Sequence, residues 1–188
     1  MSSSDSIPTG WNNGLNQDYN RKLHKWFASR MDARYVLRNN LRTQKNTQMK
    51  TDTQLTLHKD GTIPVNGEVF VFGSNLSGLH GAGAARKAYE KFGALMGFGR
   101  GYYGHGPAHS YALPTKDMNI ITRSLTSIQE DVDVFIQFVN DNPDKRFFIT
   151  RVGCGLAGYY DYEIAPMFKK INKAQCSFPE QWAAYLTQ

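Results

Sequence analysis

Two apolar runs constrain this chain more than anything else in it. Glu68-Val-Phe-Val-Phe72 and Arg146-Phe-Phe-Ile-Thr-Arg-Val152 each run into a glycine, Gly73 and Gly153. Each then passes through a glycine-rich loop toward helix-forming sequence. A short apolar run without alternation reads as a strand buried on both faces. Strands of that kind sit inside a largely parallel sheet and need helices above and below. The intervening sequence supplies them. Residues 82–92 are rich in helix formers and stop at Gly93. Ile128, Val132, Phe135, Ile136 and Val139 fall on one face of a helix over 128–140, with Pro143 beyond it. Ser110–Pro114 and Gln175–Phe178 read as further short strands, and residues around Trp182 as a terminal helical piece. Residues 161–171 read as a helix that Pro166 must kink or restart. The glycine-rich stretch 97–106, with Tyr102 and Tyr103 in it, reads as a mobile loop: a lid, or only a long connection.

The expected organisation is a flexible tail over 1–19, a basic amphipathic helix over 20–42, a linker over 43–53 and an α/β domain over 54–188. The charge is unevenly placed. The chain carries +6 overall, but 20–50 holds nine Lys or Arg against the single acid Asp32. The remaining chain is slightly acidic, so the basic character belongs to one segment. Arg30, Arg34, Arg38 and Arg42 recur every fourth residue, along one helix face. That helix is open to three readings: a nucleic-acid contact, a packing or oligomer surface presenting Trp26 and Phe27, or a solvated extension. With hydrophobic residues at 40% and charged at 20%, a buried core is expected. Cys154 and Cys176 form no CxxC pair, which argues against a zinc ribbon or a disulfide scaffold and suits a reducing compartment. No start-of-chain segment has signal-peptide order, and no apolar run approaches the ~18 residues of a membrane span. A cytoplasmic protein with no membrane contact is expected.

The chemistry is expected at the two loops, because ligands of open α/β sheets lie beyond the carboxyl ends of the strands. The first contributes Gly73, Ser74, Asn75, Leu79, Gly81, Ala82, Gly83 and Ala84; the second Gly153, Cys154, Gly155, Leu156, Ala157 and Gly158. Glycines let backbone N–H groups approach a phosphate, and a helix N-terminus adds partial positive charge. Two such loops from two strands would clamp a diphosphate. Taken singly, either set of glycines could serve only tight turns and close packing. No GK[ST] follows either loop, and neither matches GxGxxG in strand–turn–helix register, which disfavours the common NTP and dinucleotide sites. Cys154 has no His or Asp placed beside it and reads as a packed small residue. His105 and His109 lie in non-helical sequence and do not make a metal pair. No metal and no cofactor is expected.

Three blocks resemble the macro domains, in the expected order. His80-Gly-Ala-Gly-Ala-Ala-Arg-Lys-Ala-Tyr-Glu-Lys-Phe-Gly93 is similar to the loop and helix of the branch holding the terminal ADP-ribose protein glycohydrolase and the ADP-ribose-1″-phosphate phosphatases. Tyr111-Ala-Leu-Pro-Thr-Lys116 resembles its strand ending in Thr-Lys, and Arg151-Val-Gly-Cys-Gly-Leu-Ala157 its GCGL loop. The likeness runs from about Val69 to Phe178. It implies a three-layer α/β domain with a mainly parallel, mixed sheet that binds ADP-ribose. The turns at 81–84 and 153–158 would hold the diphosphate and distal ribose. Asn75 would lie near that ribose, and Tyr159 or Tyr160 would stack on a ribose or base. Lys116 matches the branch's attacking lysine. The branch's acid after GCGL is replaced by Ala157, and Asp161 substitutes only if the loop bends back. His80, just before the GAG turn, would reach the distal ribose as a general acid or base, or else bond a backbone carbonyl. The leading expectation is a hydrolase that removes a 1″-phosphate or another adduct from ADP-ribose. The alternatives are a reader without turnover, favoured by Ala157, and a nucleic-acid-associated module guided by the basic helix.

Overall fold

A computed structural model describes residues 55–65 and 67–187. The expected tail, basic helix and linker lie outside them. The compact unit is Thr53–Gln188. Its elements run β1 (Thr56–His58), β2 (Val69–Asn75), α1 (Gly83–Lys91), β3 (Gly101–His105), β4 (Ala108–Lys116), α2 (Leu125–Asp141), β5 (Phe147–Ile149), α3 (Asp161–Ile164), β6 (Cys176–Pro179) and α4 (Ala183–Leu186), with 3-10 turns over Ala165–Phe168, Lys173–Gln175 and Glu180–Trp182. The sheet order is β1-β6-β5-β2-β4-β3. Every pairing is parallel except β3 with β4.

Strand alternation sorts the core onto two faces. Val69, Val71, Tyr111, Leu113, Phe147 and Ile149 face one side and meet Ile128, Val132, Phe135, Phe168 and Trp182. Phe70, Phe72, Ala112 and Phe148 face the other and meet Ala85, Ala88 and Ala94. Small alanines let α1 lie close to the phenylalanines, while α2 offers large side chains on the opposite face. The result is a three-layer α/β sandwich. Helix α2 starts where Ser124 accepts the Ser127 N–H, a conventional N-cap. Its buried Asp131 pairs with Arg123 at 2.6 Å and Arg100 at 2.7 Å, tying α2 to both ends of the β3–β4 hairpin.

Three sequence readings need correction. The stretch 97–106 is not a lid: Gly101–His105 is an edge strand, paired residue for residue with 108–112 around a Gly106-Pro107 turn. Its glycines hid it, because strand propensity depends on side chains whereas pairing uses the backbone. The run 146–152 is a strand only over Phe147–Ile149; Val152 N–H bonds Thr150 O as the chain turns away. The helix expected over 161–171 is one α turn that Pro166 restarts as a 3-10 turn. No helix among the described residues is long and apolar enough to cross a membrane.

Candidate functional site

Both glycine-rich loops emerge at the carboxyl edge of the sheet, from β2 and from its neighbour β5. In the first, the Asn75 side chain pins its own loop. Its Oδ1 accepts from Ser77 Oγ (2.7 Å) and Leu79 N (2.9 Å), and its Nδ2 donates to Leu79 O (2.7 Å). Gly78, at φ +69°, lies against the backbone of Gly97 and Phe98, where a Cβ would collide. The loop is therefore fixed before any ligand arrives. It delivers the chain to α1, whose first turn has no acidic residue and whose N-cap, Ala82, has no side chain to satisfy the leading N–H groups. Those donors remain for an anion.

The second loop turns at Gly153 (φ +77°) and Gly158 (φ +83°). Cys154 N–H bonds Arg151 O, Gly158 N–H bonds Gly155 O, and Tyr159 N–H bonds Gly153 O, so this loop too is preformed. The two loops approach each other: a Cβ on Gly83 would lie 3.9 Å from Leu156 Cδ1. Gly81 and Gly155 face open space. The strip between the loops is thus walled by backbone, with no Asp, Glu, Lys or Arg on either loop and buried His80 as their one titratable imidazole.

The strip continues into a cleft of about 180 Å³ lined by His58, Asp60, Thr62, Phe148 and Thr150, with Gly83, Ala84 and Lys87 of α1 forming its other wall. A site enclosing a whole small ligand measures roughly 300–1,000 Å³, so this cleft is too small to enclose one by itself. His58 stacks on Phe148, centroids 3.7 Å apart, and its Nδ1 lies 2.6 Å from Ser177 Oγ. Burial holds the His58 pKa down at about 4, despite the nearby Asp60 charge, so this wall is neutral and aromatic. Lys87 Nζ donates to Gly61 O across the mouth (3.0 Å). Arg151 binds Asp161 through Nε (3.0 Å) and a terminal nitrogen (2.7 Å), and reaches Asp60 at 3.2 Å. One guanidinium thereby ties the β1 loop to the second glycine loop.

The sequence candidates for catalysis fall differently. His80 is 1% exposed; its Nε2 lies 3.0 Å from Leu95 O and 3.2 Å from Phe98 O, and its ring sits edge-on to Phe72. Since both partners are carbonyls, Nε2 carries the proton. Burial lowers the His80 pKa, so the ring is neutral and anchors the chain after α1. It is the carbonyl-bonding histidine rather than one reaching into the strip. Asp161 is the partner of Arg151 and also accepts from Trp182 Nε1 (2.8 Å). Burial raises its pKa, but the Arg151 and Trp182 hydrogen bonds outweigh this and hold it below the ordinary carboxylate value. Both of its carboxylate oxygens are engaged by these partners. The Cys154 thiol is pushed up to about 12 by burial and the Asp161 charge, so no thiolate forms at neutral pH. Tyr159 donates its hydroxyl to Arg123 O (2.6 Å), whereas Tyr160 and Tyr162 stack on each other at the surface. Lys116 ends β4, and its carbonyl accepts from Leu76 N–H (3.0 Å). Among the described residues no cluster of three or more His, Cys, Asp or Glu could hold a metal.

His58, Asp60, Thr62, Lys87, Phe148 and Thr150 were not identifiable from sequence. The three-residue β1 finds its place only by pairing with β6, over a hundred residues away.

No family model and no curated protein matches the chain by sequence. Solved structures do match by fold. The macrodomain of Mycobacterium tuberculosis DarG superposes with a TM-score of 0.50 at 16% identity, covering 67% of this chain and 98% of that one. A protein of unknown function from Bacteroides thetaiotaomicron gives 0.50 at 13% identity, covering 69% and 98%. These likenesses concern the fold: the domain is a macrodomain-type α/β sandwich.

Proposed function

We propose that this domain binds a diphosphate-linked adenosine nucleotide of the ADP-ribose type and acts as a binding module rather than through histidine catalysis. The observation that carries the reading is the preformed strip between the uncapped start of α1 and the 153–158 turn. It opens at one end into the aromatic cleft. A diphosphate suits the strip, because backbone N–H groups at a helix start meet its charge without a counter-ion. An adenine suits the cleft, with a flat neutral wall on His58 and Phe148 and polar atoms of Asp60 and Thr62 at its edge. Strand order then gives direction: adenosine beside β1 and β5, diphosphate over β5 and β2, distal ribose toward β2 and β4.

A hydrolase working through His80 or Asp161 would need those groups free, and both are engaged in holding the fold. Lys116 stands at the β4 end, on the distal side, and carries the one alternative: turnover through its amine. Calorimetry with ADP-ribose, ADP and ribose 5-phosphate tests the binding. ADP-ribose should bind best and ribose 5-phosphate worst. Absence of ADP-ribose binding at millimolar concentration refutes the proposal. Release of phosphate from ADP-ribose-1″-phosphate by the wild type, lost in Lys116→Ala, would replace the module by an enzyme.

A further inference from the structure

Exposed aliphatic side chains gather where the distal end of the ligand would emerge. The first glycine loop exposes Leu79 (58%), the second Leu156 (72%), and the segment after β4 exposes Met118 (50%), Ile120 and Ile121 (63%). The other exposed large hydrophobics are spread over the β1 region (Leu57, Ile63, Val65), the turn after α1 (Leu95, Met96), the Tyr160 and Tyr162 pair, and one each on the long helices, Tyr89 and Val134. The last segment is joined to the second loop through Thr122 Oγ1, which donates to Ala157 O at 3.0 Å.

The segment after β4 is rigid. Lys116 and Thr122 bridge as an antiparallel pair. Asp117 N–H bonds Ile121 O (2.8 Å), and the Asp117 carboxylate accepts from the N–H groups of Asn119 (2.8 Å) and Ile121 (2.9 Å). Its charge is thus spent within its own turn. The turn holds Ile120 at φ +67°, the only non-glycine residue in the left-handed region among the described residues. A β-branched residue pays strain there, and what the strain secures is an isoleucine presented at the mouth of the site. A phosphate on the distal ribose would ordinarily meet paired guanidinium groups or several N–H donors. Lys116 is the single cation of residues 116–122, whose exposed side chains are the aliphatic Met118, Ile120 and Ile121 with the uncharged Asn119 and Thr122.

We infer that the domain is selective for ADP-ribose conjugates whose anomeric substituent is an apolar organic group, not a phosphate, and that Met118, Ile120, Ile121 and Leu156 form the rim that receives it. The inference rests on the ADP-ribose reading above and adds the class of conjugate. Exposed apolar surface concentrated at a ligand-site mouth marks an interaction site. Here the partner is the group borne by the nucleotide itself, because the rim continues the strip in which that nucleotide lies.

Calorimetry on the full chain would compare ADP-ribose, ADP-ribose-1″-phosphate and the 1″-O-benzyl glycoside of ADP-ribose. The benzyl compound should bind roughly tenfold or more tightly than ADP-ribose, the discrimination one or two carbons give in an apolar pocket. The 1″-phosphate should bind no more tightly than ADP-ribose. Ile121→Ser and Met118→Ser, both at exposed positions, should remove the benzyl gain and leave ADP-ribose affinity unchanged, which also reports that they fold. Failure of ADP-ribose itself to bind would sink the parent reading. ADP-ribose binding with no benzyl gain, with tighter phosphate binding, or with a gain that survives both serine variants would overturn this inference alone.

Discussion

At Ile120 the backbone sits at φ +67°, a conformation costing an L-residue about 1–2 kcal/mol. Glycine pays no such cost but loses about 0.5–1 kcal/mol through the freedom of the unfolded chain. Ile120→Gly should therefore hold or modestly raise the melting temperature, whereas an isoleucine-to-glycine change in a regular strand would lower it; a clear drop in a thermal melt would contradict the strain. The two histidines whose pKa is lowered by desolvation make a second, pH-dependent expectation. Unfolded, His58 takes up a proton below about 6.5, but in the fold burial delays this to about 4. Between those values the unfolded chain binds more protons, so stability falls as pH drops from 6.5 to 4. His80, also shifted downward, acts in the same direction. Melting temperatures across that window should fall less steeply for His58→Gln than for the wild type. Asp161, held below its ordinary value, adds a loss only at lower pH.

Among the elements, α1 carries the proposed preference for an anion by what it lacks. Its N-cap is Ala82 and its first turn has no acid. Placing a carboxylate there, Ala82→Asp, should stabilise the helix by about 1 kcal/mol while occupying the donors an anion would use. The expected outcome is a higher melting temperature with at least tenfold weaker ADP-ribose binding, read by melting and calorimetry on one preparation. Weaker binding without stabilisation would mean that those N–H groups are not free. Legibility at this scale followed a simple rule. Elements whose stability comes from side-chain pattern, such as β2 and α2, were readable. Elements defined by pairing, β1 and the glycine-rich β3, were not, because backbone hydrogen bonds to distant strands leave little trace in local sequence.

At the scale of the whole domain, every buried core residue among the described residues lies between Val69 and Leu186. The strip and cleft are built within the same unit, Thr53–Gln188. A fragment of residues 53–188 should therefore fold and keep the ADP-ribose affinity of the full chain. Loss of folding or of affinity would assign residues 1–52 a part in the site. Ligand should raise the melting temperature of either form by mass action, by about 2.7 kcal/mol of stability at a hundred times Kd.

Sequence alone determined the class of fold and singled out the two glycine-rich loops at strand ends, because buried strands, helix stripes and glycine turns are local consequences of residue type and spacing. It also flagged Ala157 as a missing acid. Which side chains face that site was decided only in three dimensions. His80 and Asp161 stand beside the glycine loops in sequence, yet one turns to the carbonyls of Leu95 and Phe98 and the other to Arg151 and Trp182. The cleft residues His58 and Thr150 meet only because β1, β6 and β5 lie side by side. A side chain's direction is set by the partners that satisfy it, and those partners are chosen by packing between segments far apart in the chain.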